Sequence, residues 1–306
     1  MTHKLKLITG LFLLCMACSN ENETASGLKF TVLRKGDGLK LDSGKYLILN
    51  MVFKDGKDSV WNDTEKNGVP AIIQIQEGVP KGDAVLEAVM MMSKGDSITF
   101  KIPAKSLFEN TFRSPLPFSV DSTSLFTFNL GLSDVLDAEQ FQQLQEKMIA
   151  KQNEDFVKQQ EGQLLIDIDI IDKHLAEKGI TAQKLESGIR YKISKAGKGE
   201  NAKSGQTASI YYAGYLLNGK LFDSNIESVA RLNNVYQEGQ PYKPYDVVVD
   251  GQEVIKGWEE AIKVMNKGSK MTVYIPSTLA YGSRRRSAEI VENTILMFEM
   301  ELVDIK

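Results

Sequence analysis

The stretch Gly251–Gly282, GQEVIKGWEEAIKVMNKGSKMTVYIPSTLAYG, holds the pattern that decides the fold. Four apolar residues recur at i, i+3, i+4 and i+7 and predict one face of a short helix: Trp258, Ala261, Ile262 and Met265. We expect Gly268 to cap this helix in a left-handed conformation. Lys270–Ile275 then has the composition of a strand, which Pro276 ends. A tryptophan at the start of a short helix indicates a ring that forms the bottom of a site.

The same pattern occurs earlier in the chain, which indicates an internal repeat. Four pairs of segments match in the same order: Ser26–Gly38 with Ser187–Gly199, Ser43-Gly44 with Ser204-Gly205, Lys94–Phe108 with Lys267–Tyr281, and Leu125–Val135 with Ile295–Ile305. The first copy also keeps the apolar helix face, as Val85, Ala88, Val89 and Met92. Two long copies are too few for a solenoid, so the pattern predicts a duplicated domain with insertions between the shared blocks.

Both copies are predicted to be α+β, with several strands around one helix. The runs of strand composition are Tyr46–Phe53 and Ile72–Gln76 in the first copy, and Ala208–Leu217 and Asp246–Val249 in the second. Asp55-Gly56 and Asn218-Gly219 are typical of tight hairpin turns.

Residues 137–181, between the copies, are predicted to form a helical connector. Two apolar stripes have helical spacing: Phe141, Leu144 and Met148, then Leu164, Ile168, Ile171 and Leu175. We expect a break at Gly162, and the alternating run Ile166–Ile170 leaves a strand open as an alternative. The stripes are expected to pack on the two domains, with dimerisation through them as the alternative.

Residues 1–17 match a secretory signal, because a short basic start precedes an apolar core of Leu7–Ala17. Ala17-Cys18-Ser19 resembles a bacterial lipobox, although Cys15 stands where that motif usually has leucine. We therefore expect lipidation at Cys18, followed by a flexible polar tether over residues 18–27. An ordinary cleaved signal peptide is the alternative.

Charge and composition narrow the classes of function. A formal net charge of −3 gives no sign of nucleic-acid binding. Both cysteines lie in residues 1–18, and His174 is the only histidine beyond that segment. No metal-ligand cluster and no G-x-S-x-G motif occurs. The sequence therefore favours neither a metal enzyme nor a hydrolase, and we expect neither metal nor cofactor.

Five motifs of the second copy occur in the order of a known family. They are Ile210-Tyr-Tyr-Ala-Gly214, Gly219-Lys-Leu-Phe-Asp-Ser224, Gln252-Glu-Val-Ile-Lys-Gly-Trp-Glu259, Ala280-Tyr-Gly282 and Leu296-Met-Phe298. With them, residues 182–306 resemble the FKBP-type peptidyl-prolyl isomerases. The resemblance implies a twisted antiparallel sheet wrapped on one short helix for each copy, and catalysis of X-Pro isomerisation without a cofactor.

The resemblance also implies a set of site residues. The catalytic pocket would be formed by Tyr212, Phe222, Asp223, Trp258, Tyr281 and Phe298. Substrate would further contact Tyr245, Val254 and Ile255. In this set Trp258 would lie under the proline ring, the Tyr281 hydroxyl and the Ile255 N–H would bind substrate carbonyls, and Asp223 would orient polar groups.

Two segments of the second copy depart from the family pattern. Asn225–Lys243 is long and is expected to form an extra flap beside the pocket. Ser283–Glu289, which contains Arg284–Arg286, replaces a segment that is rich in glycine and proline in many relatives. The arginines are interpreted either as a solvated loop or as a feature that selects acidic or extended clients.

The first copy, residues 28–136, lacks most of these groups. At the positions of Tyr212, Phe222, Asp223, Trp258 and Tyr281 it has Met51, Trp61, Asn62, Val85 and Phe108, and only Phe128 matches Phe298. We therefore predict a degenerate, non-catalytic domain.

Together these features predict a folding factor of the cell envelope. It would isomerise X-Pro bonds of exported, proline-containing polypeptides through residues 182–306. Its membrane attachment would be the lipid on Cys18, on the periplasmic or the outer face of the outer membrane. A non-catalytic binding or chaperone lipoprotein is the alternative, and the oligomeric state stays open.

Overall fold

The structure is a computed structural model that describes residues 21–36, 38, 41–76 and 82–306. The predicted signal peptide and Cys18 lie outside these residues. The chain divides into two compact units, one up to Ile149 and one from Ala150 onward. Within the described ranges, no helix has the length and apolar composition needed to cross a membrane.

The first unit is a seven-stranded antiparallel sheet with short helices. Its strands are β1 (Glu21–Glu23), β2 (Lys29–Arg34), β3 (Tyr46–Lys54), β4 (Val60–Asp63), β5 (Ala71–Gln74), β6 (Ser97–Pro103) and β7 (Leu125–Leu136). Its helices are α1 (Thr64–Asn67), α2 (Ala84–Met90), α3 (Ala104–Ser106) and a π-helical turn, Leu107–Thr111. The strand order is β1-β2-β6-β7-β3-β4, and β5 also pairs with β3.

The second unit repeats this topology. After α4 (Ala138–Glu177) come β8 (Gln183–Lys184), β9 (Arg190–Lys195), β10 (Lys198–Asn201), β11 (Thr207–Leu216), β12 (Leu221–Ser224), α5 (Glu227–Leu232), β13 (Tyr245–Val248), α6 (Lys256–Lys263), β14 (Asn266–Lys267), β15 (Lys270–Ile275), a 3-10 turn (Ser277–Leu279) and β16 (Leu296–Ile305). The strand order is β12-β11-β16-β15-β9-β8, with β13 also paired to β11 and β10 paired to β14.

The two orders match strand for strand, which confirms the predicted duplication and the α+β class. The hairpins at Asp55-Gly56 and Asn218-Gly219 are also confirmed, since β3 pairs with β4 and β11 with β12 in antiparallel register. In each unit the short helix buries its predicted face against the sheet. In the second unit Ala261, Ile262 and Met265 are fully buried.

Helix α4 is a single helix through Gly162, so the expected break there and the strand alternative over Ile166–Ile170 are both wrong. Both predicted stripes pack. Phe141 stacks on Tyr46 at 4.0 Å between ring centres. In the second unit, Ile171 and Leu175 join a buried cluster with Tyr274 and Ile295. Gly188 lies so close to the helix that a Cβ there would be 2.8 Å from Leu164 Cδ1.

Two local expectations are corrected. Residues 21–27 are not a flexible tether, because Glu21–Glu23 pairs with β2 and the Thr24 hydroxyl accepts the Leu28 N–H at 3.1 Å. This strand occupies the place that β8 has in the second unit. Gly268 has the expected left-handed φ of 84° but does not cap α6, which ends at Lys263 with Val264 as its cap. Its N–H donates to the Leu302 carbonyl instead, at 2.7 Å.

Candidate functional site

The second unit contains an aromatic pocket of about 670 Å³. All nine residues implied by the resemblance line it: Tyr212, Phe222, Asp223, Tyr245, Val254, Ile255, Trp258, Tyr281 and Phe298. Glu253 and Arg284–Arg286 complete the lining. Side chains that are up to 86 residues apart in sequence therefore meet around one concave, largely aromatic space.

Strand register places one wall of the pocket. On β11, Tyr212 pairs with Met300 and Gly214 pairs with both Phe298 of β16 and Asp223 of β12. The missing side chain at Gly214 leaves room for two rings. A Cβ built there would be 2.6 Å from Phe222 Cζ and 2.8 Å from Phe298 Cε1. Gly214 is therefore what allows both phenyl rings to stand in the pocket, a role that the sequence motif alone did not reveal.

Trp258 lies in the first turn of α6 and is only 5% exposed. Its ring meets Tyr212 and Phe298 edge-on, at 5.0 and 5.2 Å between centres. Its indole N–H is buried and has no hydrogen-bond partner among the described residues. The helix approaches β15 closely because residue 257 is glycine, where a Cβ would be 2.3 Å from Ile275 Cγ2.

A buried glutamate holds the backbone that leads into α6. Glu259, 8% exposed, accepts hydrogen bonds from the N–H groups of Asp250 and Gln252. Both of those residues have left-handed backbone, with φ of 61° and 60°, which non-glycine residues adopt at a cost. The Glu259 carboxylate stabilises this turn and so fixes Ile255, the helix N-cap. No acceptor for the Ile255 N–H is found in the described part of the chain.

Some polar groups of the pocket are hydrogen-bonded to other residues of the protein, and others have no partner among the described residues. The Tyr212 hydroxyl donates to Asp223 Oδ2 at 2.7 Å. Burial, together with this carboxylate, raises the pKa of Tyr212, so the phenol stays protonated as a donor. The Tyr281 hydroxyl follows the 3-10 turn and forms no hydrogen bond to any described residue. It and the Ile255 N–H are thus available to a ligand.

The segment Asn225–Lys243 contains α5 and is tied to β11. The Asn225 side chain accepts the Tyr212 N–H at 2.7 Å and donates to the carbonyls of Ile210 and Lys243 at 2.9 and 3.0 Å. All of 225–243 is described, and none of it lines the pocket. The segment therefore does not cover Trp258.

The corresponding space of the first unit is filled by rings. Phe53 occupies the register position of Gly214, opposite Phe128. The two rings stack at 4.8 Å. Trp61 packs edge-on against Phe108 and Phe126, at 5.8 and 5.1 Å. Among the described residues, the same topology therefore brings aromatic rings together where the second unit has its pocket.

Comparison with known proteins shows which proteins this chain is similar to. Residues 198–303 match the model of the family described as FKBP-type peptidyl-prolyl cis-trans isomerase. The peptidyl-prolyl cis-trans isomerase Mip of Coxiella burnetii is 30% identical over 190 residues, which cover 59% of this chain and 76% of that protein. A probable FKBP-type isomerase of Haemophilus influenzae is 38% identical over 136 residues, covering 44% of this chain and half of that protein. The crystal structure of FkpA from Escherichia coli aligns with a TM-score of 0.37 and 28% identity, over 56% of this chain and 74% of that one.

The protein thus has two copies of the same domain: the second has an aromatic pocket, and in the first, aromatic rings pack in the corresponding place. The chain belongs to the FKBP-type peptidyl-prolyl cis-trans isomerase family.

Proposed function

We propose that the second unit catalyses cis-trans isomerisation of X-Pro bonds in polypeptides. The observation that carries this proposal is the aromatic pocket, where Trp258 lies among the rings while the Tyr281 hydroxyl and the Ile255 N–H are unengaged. A proline ring is compact and apolar and suits the aromatic wall. Its flanking carbonyls are acceptors that suit the two unengaged donors.

The reaction needs no nucleophile, metal or cofactor. Amide resonance sets a barrier of about 18–20 kcal/mol, and isomerisation without a catalyst takes tens to hundreds of seconds. Water stabilises the planar, charge-separated amide more than the twisted amide of the transition state. A pocket that replaces water by aromatic surface therefore favours the twisted amide, which is differential binding of the transition state. Donors that hold the flanking carbonyls keep the peptide in place during rotation.

Roles follow for the remaining pocket residues. Tyr212, Phe222 and Phe298 form the aromatic walls, and Asp223 orients the Tyr212 hydroxyl through their hydrogen bond. Tyr245 and Val254 contact the peptide beside the proline.

We propose that the first unit is not catalytic. Phe53 takes the place of Gly214, and Phe108 carries no hydroxyl at the place of Tyr281. This supports a role in client binding or spacing for residues 28–136, with residues 137–181 as the helical connector and 182–306 as the isomerase domain. The alternative for the whole chain, a binding lipoprotein without turnover, predicts peptide binding without rate acceleration.

The N-terminal sequence supports an envelope location. The signal-like residues 1–17 and Cys18 favour export, lipid attachment and outer-membrane anchoring, so the clients would be exported proteins. In a detergent phase-partition experiment, the unchanged chain should be recovered in the detergent phase and a Cys18→Ser variant in the aqueous phase. Equal partitioning of both forms would contradict lipid attachment at this residue.

The activity is tested on the full-length chain with a proline-containing peptide, by following the cis-to-trans rate. Trp258→Leu should lower kcat/KM about ten-fold or more, because the apolar surface under the proline is reduced. Tyr281→Phe should lower it about two- to ten-fold, the value of one hydrogen bond. Asp223→Ala should also lower it.

The control is Trp61→Leu, the same substitution at the chain's other tryptophan, in the filled copy. It should change kcat/KM by less than two-fold. Circular dichroism of each variant separates loss of the pocket from loss of the fold. A chain that is no faster than buffer, with peptide binding retained, would favour the binding lipoprotein over the isomerase.

A further inference from the structure

Three consecutive arginines, Arg284, Arg285 and Arg286, line the pocket beside its unengaged tyrosine. We name them the arginine rim. Backbone hydrogen bonds fix their loop, since the Arg284 N–H donates to the Tyr281 carbonyl at 3.2 Å and the Arg286 N–H to the Ile290 carbonyl at 2.9 Å. The Arg286 guanidinium carbon lies 5.9 Å from the centre of the Tyr281 ring. The rim therefore borders the place where the peptide's carbonyl would bind.

The positive charge of the rim is not neutralised within the unit. None of its guanidinium groups forms a salt bridge with a carboxylate in the described ranges, whereas nearby Lys220 pairs with Glu289 at 3.5 Å. Two carboxylates line the pocket, and one of them, Asp223, already accepts the Tyr212 hydroxyl. Three arginines against two carboxylates leave a formal pocket charge of 3 − 2 = +1, in a chain with a net charge of −3.

We propose that the arginine rim selects X-Pro bonds that have an acidic side chain on a residue next to the proline. The inference rests on the proposed isomerase activity of the same pocket. The aromatic wall binds the proline ring, and the rim meets the neighbouring side chain. A guanidinium group presents a planar fork of donors that matches a carboxylate. All three arginines are exposed, so each favourable pair is worth at most about a two- to five-fold change in rate or affinity.

The test compares peptides that differ only in one side chain. The probes are Ala-Xaa-Pro-Ala and Ala-Ala-Pro-Xaa with glutamate, glutamine or lysine as Xaa, and exchange NMR gives kcat/KM for the full-length chain. Glutamine has the shape of glutamate without its charge, so the glutamate-to-glutamine ratio isolates electrostatics. We expect a ratio of about two to five in at least one series, and a ratio below one for lysine against glutamine. High salt should bring both ratios towards one.

Two triple variants with the same change in net charge assign the effect. The variant R284Q/R285Q/R286Q should bring the glutamate-to-glutamine ratio to about one. The control K192Q/K195Q/K198Q removes three exposed cations from β9 and β10, none of which lines the pocket, and should keep the ratio. If the first variant does not fold, the three single Arg→Gln variants replace it, and at least one of them must lower the ratio.

The outcomes separate this inference from the proposed activity. Acceleration of the glutamine peptides with no preference for glutamate in either series overturns the arginine rim and leaves the isomerase intact. The inference is also overturned if the preference for glutamate persists in R284Q/R285Q/R286Q, or if it disappears in the control K192Q/K195Q/K198Q. If the chain accelerates isomerisation of none of the peptides, the proposed isomerase activity is itself refuted, and the inference about the arginine rim falls with it.

Discussion

Replacement of Gly214 by alanine should damage the pocket while the fold survives. The added Cβ would be 2.6 Å from Phe222 Cζ, whereas carbon atoms in contact lie about 3.5–4.0 Å apart, so a ring must retreat by about 1 Å. Phe298 is 5% exposed and is backed by Trp258 at 5.2 Å. Phe222 is less buried and lines the cavity, so it is the ring that moves, into the space meant for proline.

The expected size of the effect follows from that displacement. Overpacking costs about 1–3 kcal/mol of stability, and a strand glycine replaced by alanine returns about 0.5–1 kcal/mol of it. A misplacement of about 1 Å at a reacting site costs up to about 100-fold in rate. We therefore expect kcat/KM for a proline peptide to fall about 10- to 100-fold, while the urea midpoint falls only slightly.

A matched control separates packing from the pocket. Ile189→Val changes a fully buried side chain of the same core that does not line the pocket. It should cost about 0.5–1.5 kcal/mol of stability and leave kcat/KM nearly unchanged. If Gly214→Ala is folded and keeps kcat/KM within two-fold of the unchanged chain, Gly214 does not create the pocket and the reasoning fails.

Three further predictions concern helix α4. The Arg190 guanidinium hydrogen-bonds to Asp172 and lowers the pKa of that carboxyl to about 2. The pair therefore stabilises the fold above the unfolded pKa of about 3.9 and loses this contribution as pH falls towards 2. Asp172→Asn should lower the urea midpoint at pH 7, and the difference should shrink between pH 4 and pH 2; a constant difference contradicts this. Asp167→Ala should cost about 1–3 kcal/mol for each Ser277 donor left unpaired, and it should lower kcat/KM, which Ile189→Val leaves nearly unchanged. A fragment 182–306 should unfold at lower urea than a fragment 150–306, because it exposes the surface that α4 covers; equal midpoints contradict this.

The sequence predicted the parts of the fold that depend on local spacing. The i, i+3, i+4, i+7 face of α6 was readable because helical periodicity is visible in eight residues, and Ala261 and Met265 are indeed fully buried. The pairing of β11 with β16 was not readable, since its partners are about 90 residues apart. Strand β1 was missed because Glu21–Glu23 is exposed along its length and shows no alternation.

The site divides in the same way. Eight of the nine pocket residues lie in the five motifs that stand in family order, and Tyr245 follows from its position between two of them; the roles of all nine stay predictions. Gly214 and Glu259 were missed because their contribution lies in distances between segments. One signal for Gly214 was present in the sequence. The internal repeat aligns it with Phe53, so the first copy has a phenyl ring where the second copy has no side chain.

The part of helix α4 from Ala150 onward belongs to the second unit, although the second copy of the repeat begins only near Ala182. Asp167 is 1% exposed, and its Oδ2 accepts both the N–H and the hydroxyl of Ser277, at 2.7 and 2.6 Å. No lysine or arginine of the described residues pairs with this buried carboxylate, so its hydrogen bonds offset the cost of its charge. Ser277 begins the 3-10 turn that ends two residues before Tyr281. The helix thus sets the position of the hydroxyl proposed to hold the substrate carbonyl. A change that unwinds α4 near Asp167 should therefore reduce turnover before it unfolds the sheet.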